Sequence, residues 1–166
     1  MSVSGYNELK TTLATLKKNV SSSKFLSEAT SLVYNAAVQN APKNTGALQQ
    51  GIYKSIESSE AGMIAEVYTN IPYATYVEFG TGPKGAAEHS GISPDVVPAY
   101  RLEPWWIHES MLDPLTAQKY GWPFIDTPKG RFYKCSGQAA QPFMYPALKD
   151  NEQDVLKILD KGFEGL

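Results

Sequence analysis

Ile52-Tyr53-Lys54-Ser55-Ile56-Glu57 and Met63-Ile64-Ala65-Glu66-Val67-Tyr68-Thr69 decide the fold class of this chain. Both are short runs with β-branched and aromatic residues, and Ser58 to Gly62 between them has turn chemistry. They read as two strands of a hairpin. The alternation in the second is imperfect, because Tyr68 follows Val67 directly. Strands here, between helical stretches on either side, give an α+β reading rather than an all-helical one.

Upstream, the first forty residues read as helix. Tyr6, Leu9, Leu13, Leu16 and Val20 recur at alternating three and four spacing, which sets them on one stripe. Ser21-Ser22-Ser23 interrupts the run and offers a cap for a second helix over 24–40. The apolar face of that helix is Phe25, Ala29, Leu32, Val33, Ala36 and Ala37. The alternative is one long helix bent at the serines. Pro42 ends the helix, since the residue before a proline is pushed out of helical geometry. Lys43-Asn44-Thr45-Gly46 is a loop, and Ala47 to Gln50 a short helical turn.

Downstream, Tyr73 to Gly80 suits a single helical turn with Pro72 at its start and Gly80 past its end. Its β-branched residues would also suit a strand. Residues 81 to about 122 are punctuated by Pro83, Gly85, Gly91, Pro94, Pro98, Pro104 and Pro114 and read as a long irregular insertion. Phe124 to Thr127 and Arg131 to Cys135 form a hairpin around Pro128-Lys129-Gly130. A last helix opens at Pro142 or Pro146 and carries Leu148, Val155, Leu156, Leu159 and Phe163 on one side. The expected architecture is one domain, 1–166, with N-terminal helices and a C-terminal helix packed on a small antiparallel sheet.

The whole chain narrows the function classes. Its 166 residues are enough for a sizeable core. A formal net charge of −2 provides no general grip on a phosphate backbone. The single cysteine, Cys135, excludes an intramolecular disulfide. The N-terminus lacks an apolar signal region, and no stretch reaches the length of a membrane span.

Chemistry-bearing residues do not assemble into a motif. His89 and His108 lack metal-ligand spacing, and His108-Glu109 lacks the second histidine of a zinc-protease helix. Glu78 with His108 and Glu109 is the only constellation a small hydrolase would have. Cys135 sits in the second hairpin, where packing explains it. Gly80-Thr81-Gly82-Pro83-Lys84-Gly85 misses phosphate-loop spacing and reads as a turn. Glu57, Glu60 and Glu66 read as a solvated face, and Asp150, Glu152 and Asp154 as helix-dipole partners. No catalytic residue, metal or cofactor is therefore expected. Tyr100, Trp105, Trp106 and Trp122 are either a satellite cluster beneath the loop or anchors of a protein interface.

Three stretches now stand in order: Ala41-Pro42-Lys43-Asn44-Thr45-Gly46-Ala47-Leu48, Tyr73-Ala74-Thr75-Tyr76-Val77-Glu78-Phe79-Gly80-Thr81-Gly82, and Gln141-Pro142-Phe143-Met144-Tyr145-Pro146-Ala147-Leu148. Together they resemble the tail-component family of long-tailed bacteriophages, whose members are also called neck, head–tail joining or tail-completion proteins. The resemblance spans residues of about 25 to 166. It implies a non-enzymatic virion subunit, made in the host cytoplasm and placed at the neck. It further implies a hexameric ring of copies between head-completion proteins and the tail terminator or tail tube, with genomic DNA passing through unread. Pro42, Thr45, Gly46 and Leu48 would turn the chain from helix into sheet. Tyr73, Tyr76 and Phe79 would pack a short turn onto that sheet, closed by Gly80 and Thr81. Pro142, Phe143 and Pro146 would lock the start of the last helix. Glu78, a carboxylate in an apolar turn, would cap amides or pair with a base, within or between subunits. The insertion, with its tryptophans, would reach a neighbour. A different virion or prophage interaction module shares the same motifs.

Overall fold

The computed structural model of the chain describes residues 23–59 and 62–164. The stripe Tyr6 to Val20 and Glu60 lie outside these residues. In chain order the elements are α1 (23–40), α2 (Ala47–Gln50), β1 (Ile52–Ser59), β2 (Gly62–Thr69), α3 (Ala74–Phe79), α4 (Gly82–Ala87), β3 (Trp105–His108), a 3-10 turn (Glu109–Met111), α5 (Pro114–Tyr120), β4 (Phe124–Thr127), β5 (Gly130–Cys135), α6 (Met144–Lys149) and α7 (Glu152–Glu164). The fold is α+β, as expected. Its strands form two separate antiparallel sheets, β1-β2 and β3-β5-β4, rather than one. The chain divides into two compact units: the first ends at Ile71 and resumes at Phe143, and the second is Pro72–Pro142.

In the first unit, α1 stops at residue 40, next to Ala41-Pro42, as the proline requires. Gly46 then adopts φ 79°, and Thr45 Oγ1 accepts the Ala47 N–H at 3.3 Å. A left-handed N-cap glycine and a hydroxyl-closed turn thus precede α2, whose Leu48 is buried. The strands pair from Ile52 opposite Thr69 to Ser59 opposite Gly62. Along β2 burial alternates strictly: Met63, Ala65, Val67 and Thr69 are half-buried, while Ile64, Glu66 and Tyr68 are exposed. Successive side chains point to opposite faces, so an apparently imperfect pattern still yields one buried face. Phe143 and Ile52 are the largest fully buried side chains.

The last helix is two helices. Asn151 marks the break: its side-chain amide donates to Ala147 O at 2.9 Å, and its own carbonyl accepts the Val155 N–H at 2.9 Å. That side-chain bond caps the end of α6 in place of a backbone amide. Pro146 falls within the first turn of α6, where its missing N–H costs nothing. Glu152 and Asp154 occupy the first turn of α7, on the favourable end of its dipole. Gly162 is buried, and a Cβ there would lie 2.8 Å from the Phe25 ring. Contact with α1 selects this glycine despite its cost in a helix.

The second unit corrects the reading of residues 81 to 122 as irregular. They contain α4, β3, the 3-10 turn and α5. β3 pairs with β5, Trp105 opposite Cys135 through His108 opposite Phe132. The hairpin β4–β5 is as expected, with Thr127 opposite Gly130 and Gly130 at φ 109°. Gly82 to Ala87 form a helix with Pro83 near its start rather than a turn. Within residues 81 to 122, the longest stretch without helix or strand is 88–104.

Candidate functional site

The densest set of special contacts surrounds Gly80-Thr81-Gly82. α3 ends at Gly80, which takes φ 75°. Thr81 is extended and pairs back to back with Gln138: Thr81 N–H donates to Gln138 O at 2.9 Å, and Gln138 N–H to Thr81 O at 3.1 Å. Gln138 Nε2 also donates to Tyr76 O at 2.7 Å. Further along, Lys84 N–H donates to Ser136 O, Ala140 N–H to Glu88 O, and Gln141 N–H to Val77 O. The later turn of α3 and both ends of α4 are thereby tied to 136–141, which satisfies backbone groups that short helices leave open.

Glycine makes this approach possible. A Cβ at Gly80 would meet the Ala140 amide at 2.7 Å, and one at Gly137 would overlap the Thr81 carbonyl. Both also have positive φ. Gly137 and Gln138 were not singled out in the sequence. The signal was present only as a glycine between Ser136 and Gln138, with nothing local to mark its partner 56 residues earlier.

Around the stitch lies an open cleft of about 720 Å³, lined by Tyr76, Phe79, Pro98, Tyr100, Arg101 and Trp105 among others. Tyr100 donates to Phe79 O at 2.6 Å, and partial burial pushes its phenol above the usual range, so the proton stays on the donor. The Arg101 guanidinium sits 5.4 Å from the Trp105 ring. Tyr100 and Trp105 therefore share one wall. Trp106 points elsewhere and is 46% exposed. Trp122 stacks on Tyr120 at 6.1 Å in a third place. The four expected interface aromatics occupy three separate positions within the unit.

The tyrosines of α3 depart from expectation. Its buried residues are Ala74 and Glu78, whereas Tyr73 and Tyr76 stand 44% and 59% exposed. A short helix turns one narrow side inward, and the 4-residue spacing from Ala74 to Glu78 takes that side. Phe79 is half-buried. Glu78 engages a partner, and no buried side-chain nitrogen or oxygen among the described residues lacks a hydrogen bond. Pro42 is half-buried behind α1, and Pro142 closes the second unit where Phe143, fully buried, opens the return to the first.

The candidate hydrolase residues are occupied structurally. His108 Nε2 lies 2.8 Å from Lys129 O, which only accepts, so that nitrogen carries the proton. Nδ1 then accepts from Ser110, whose N–H is 3.2 Å away. Glu109 Oε1 accepts the Arg131 N–H at 3.0 Å. Both residues brace the β4–β5 turn. His89 Nδ1 bonds Gly85 O at 3.0 Å, and Cys135 is buried. No group of three or more His, Cys, Asp or Glu among the described residues is placed to hold a metal ion. None of the helices among them is long and apolar enough to cross a membrane.

These features define a class: an α+β protein whose distinctive glycines go into backbone stitching and whose aromatics lie partly on exposed surface. Residues 7–80 match the model of the family described as "Bacteriophage HK97-gp10, putative tail-component". The match runs through β1, β2 and α3 to Gly80, and the resemblance read from the motifs holds over that stretch. The likeness is to a phage tail component and covers residues 7–80 of the 166. Comparison with curated proteins and with solved structures gave no match.

Proposed function

We propose that this chain is a structural subunit of the bacteriophage neck, forming a hexameric ring that joins or completes the tail at the head. The observation that carries the reading is the match of residues 7–80 to a tail-component family. The partners are further copies of the chain, head-completion proteins on one side and the tail terminator or tube on the other. A ring requires a heterologous contact repeated by rotation. The second unit supplies surface suited to that role: Tyr76, Val97, Leu102 and Trp106 are exposed at 59%, 92%, 74% and 46%. Exposed aromatic and apolar side chains of this kind suit protein contact, and the first unit carries others, among them Ile64 and Leu148. A chain of net charge −2 suits a channel that lets DNA pass without holding it. The site does no chemistry; it binds.

Electron cryo-microscopy of purified virions tests this. A six-fold ring of this chain between portal and tail tube, with residues of the second unit crossing between copies, is the expected result. Its absence from mature particles overturns the proposal.

A further inference from the structure

Each sheet of this chain turns large apolar side chains to solvent on one of its faces. In β1–β2, Ile52, Lys54 and Ile56 share a side with Ala65 and Val67, and Lys54 Nζ donates to Ser31 of α1 at 2.7 Å, so this side faces α1. The other side carries Tyr53 opposite Tyr68, Ser55 opposite Glu66 and Glu57 opposite Ile64. Ile64 is 58% exposed, and the two exposed tyrosine rings lie 5.8 Å apart. In β3-β5-β4, Trp105 and Cys135 point one way, where the Arg101 guanidinium meets the Trp105 ring. Trp106 opposite Lys134, and Phe132 between His108 and Ile125, point the other way. Trp106 and Ile125 are both exposed there. An antiparallel sheet with one solvated face ordinarily puts polar residues on it. Tyrosine and tryptophan in such places are what protein interfaces collect. The charges on the two faces are opposite. Glu57 and Glu66 are exposed on the first, and Lys134 is exposed on the second. None of the three has an ion-pair partner among the described residues.

We infer that these faces are the two halves of one contact: the Trp106–Lys134 face of one copy seats on the Tyr53–Glu66 face of the next. A single copy leaves both faces exposed, which is what a contact repeated from copy to copy requires. Pairing like faces instead would set Glu57 and Glu66 against the same carboxylates, or Lys134 against Lys134, and like charges across a contact repel. Pairing unlike faces brings Lys134 to two carboxylates and sets Trp106 and Ile125 against the tyrosine pair and Ile64. The inference rests on the proposed ring and names the two surfaces through which neighbouring copies meet.

Cross-linking in purified virions tests it. In a Cys135→Ala background, a chain with both Glu66→Cys and Lys134→Cys, treated with a short bismaleimide, should run as a ladder of linked copies. Chains with either cysteine alone should stay monomeric. Dimers from a single variant would overturn the inference by showing like faces in contact. Internally linked monomers of the double variant, without a ladder, would overturn it by showing that the faces meet inside one copy. No linkage in particles that hold a six-fold ring of the chain would overturn the inference and leave the ring standing, whereas absence of the chain from particles would remove both. Charge exchange is the second measurement. Glu66→Lys and Lys134→Glu should each lower plaque titre about tenfold or more, and the two together should recover most of it. A double variant no better than either single one would also overturn the inference.

Discussion

The two units solve the same problem by different means. The first takes most of its elements from neighbours in sequence, a helix stopped by Pro42, a turn set by Thr45-Gly46 and a hairpin, and adds a helix pair that returns from the far end of the chain. The second is held by backbone meeting backbone across long separations, Thr81 to Gln138 and Trp105 to Cys135. Side-chain volume dominates one, and the lack of side chains dominates the other. Perturbations of comparable chemistry should therefore act unequally. All three tryptophans (Trp105, Trp106 and Trp122) lie in the second unit, so their fluorescence reports that unit alone.

The largest effect is expected at Phe143, fully buried in the first unit. Phe143→Ala should cost about 3–5 kcal/mol, as large-to-small changes at closed aromatic sites do. Urea unfolding followed by circular dichroism measures it. A loss below about 1 kcal/mol would mean that volume does not hold this unit. Next is Gly137→Ala, where one added methyl meets the Thr81 carbonyl at positive φ. Overpacking of this kind costs about 1–3 kcal/mol, and the backbone conformation adds about 1 more. Gly62→Ala in the first unit is the matched control: its φ is also positive, but nothing lies within 4 Å of the new atom. Urea midpoints read by circular dichroism should fall further for Gly137→Ala than for Gly62→Ala, which carries the strain of positive φ without the clash. Similar behaviour of the two would erase the distinction between the units.

The same contrast explains what was legible in the sequence. Pro42, Thr45-Gly46, α2 and Lys129-Gly130 were read correctly because their causes lie within a few residues. The hairpin β1–β2 was legible for the same reason. β3 was missed because Trp105 to His108 become a strand only through β5, whose residues come more than 20 positions later. α4 was missed because glycine and proline usually signal turns; here Gly82 and Gly85 leave room for Trp105 and Tyr100. At Glu78 the oddity of a carboxylate in an apolar turn was visible, and the structure buries it to 6% exposure. The inward side of α3 was not visible, since a helix of six residues is too short for periodicity to separate its faces. Thr45→Ala sharpens this point at modest size. Loss of the hydroxyl's bond to the Ala47 N–H should cost about 0.5–1.5 kcal/mol, read as a small shift of the urea midpoint.

The smallest effect comes from exposed charge, and it again divides the units. In the second, Arg131 grips Asp126 with two bonds, Nε to Oδ1 at 2.7 Å and Nη2 to Oδ2 at 3.0 Å, while its guanidinium lies 4.0 Å from the Phe124 ring. In the first, Lys157 meets Asp154 through a single contact of 2.8 Å on α7. Each cation holds its carboxylate below the ordinary value of 3.8. A lowered folded pKa means the contribution is present above the ordinary carboxylate range and is lost as pH falls through the lowered value. Acidification below pH 3.8 should therefore weaken both pairs and leave neutral pH unaffected. The planar, two-pronged contact across a β-turn resists protonation better than a flexible lysine one turn away on a helix. NMR titration of the carboxyl carbons should place the Asp126 transition below that of Asp154. Asp126→Asn should flatten the acid limb seen by tryptophan fluorescence, whereas Asp154→Asn should not touch it. If Asp154→Asn moved the fluorescence as much, the two units would unfold as one, and the contrast between them would be a matter of construction alone and not of stability.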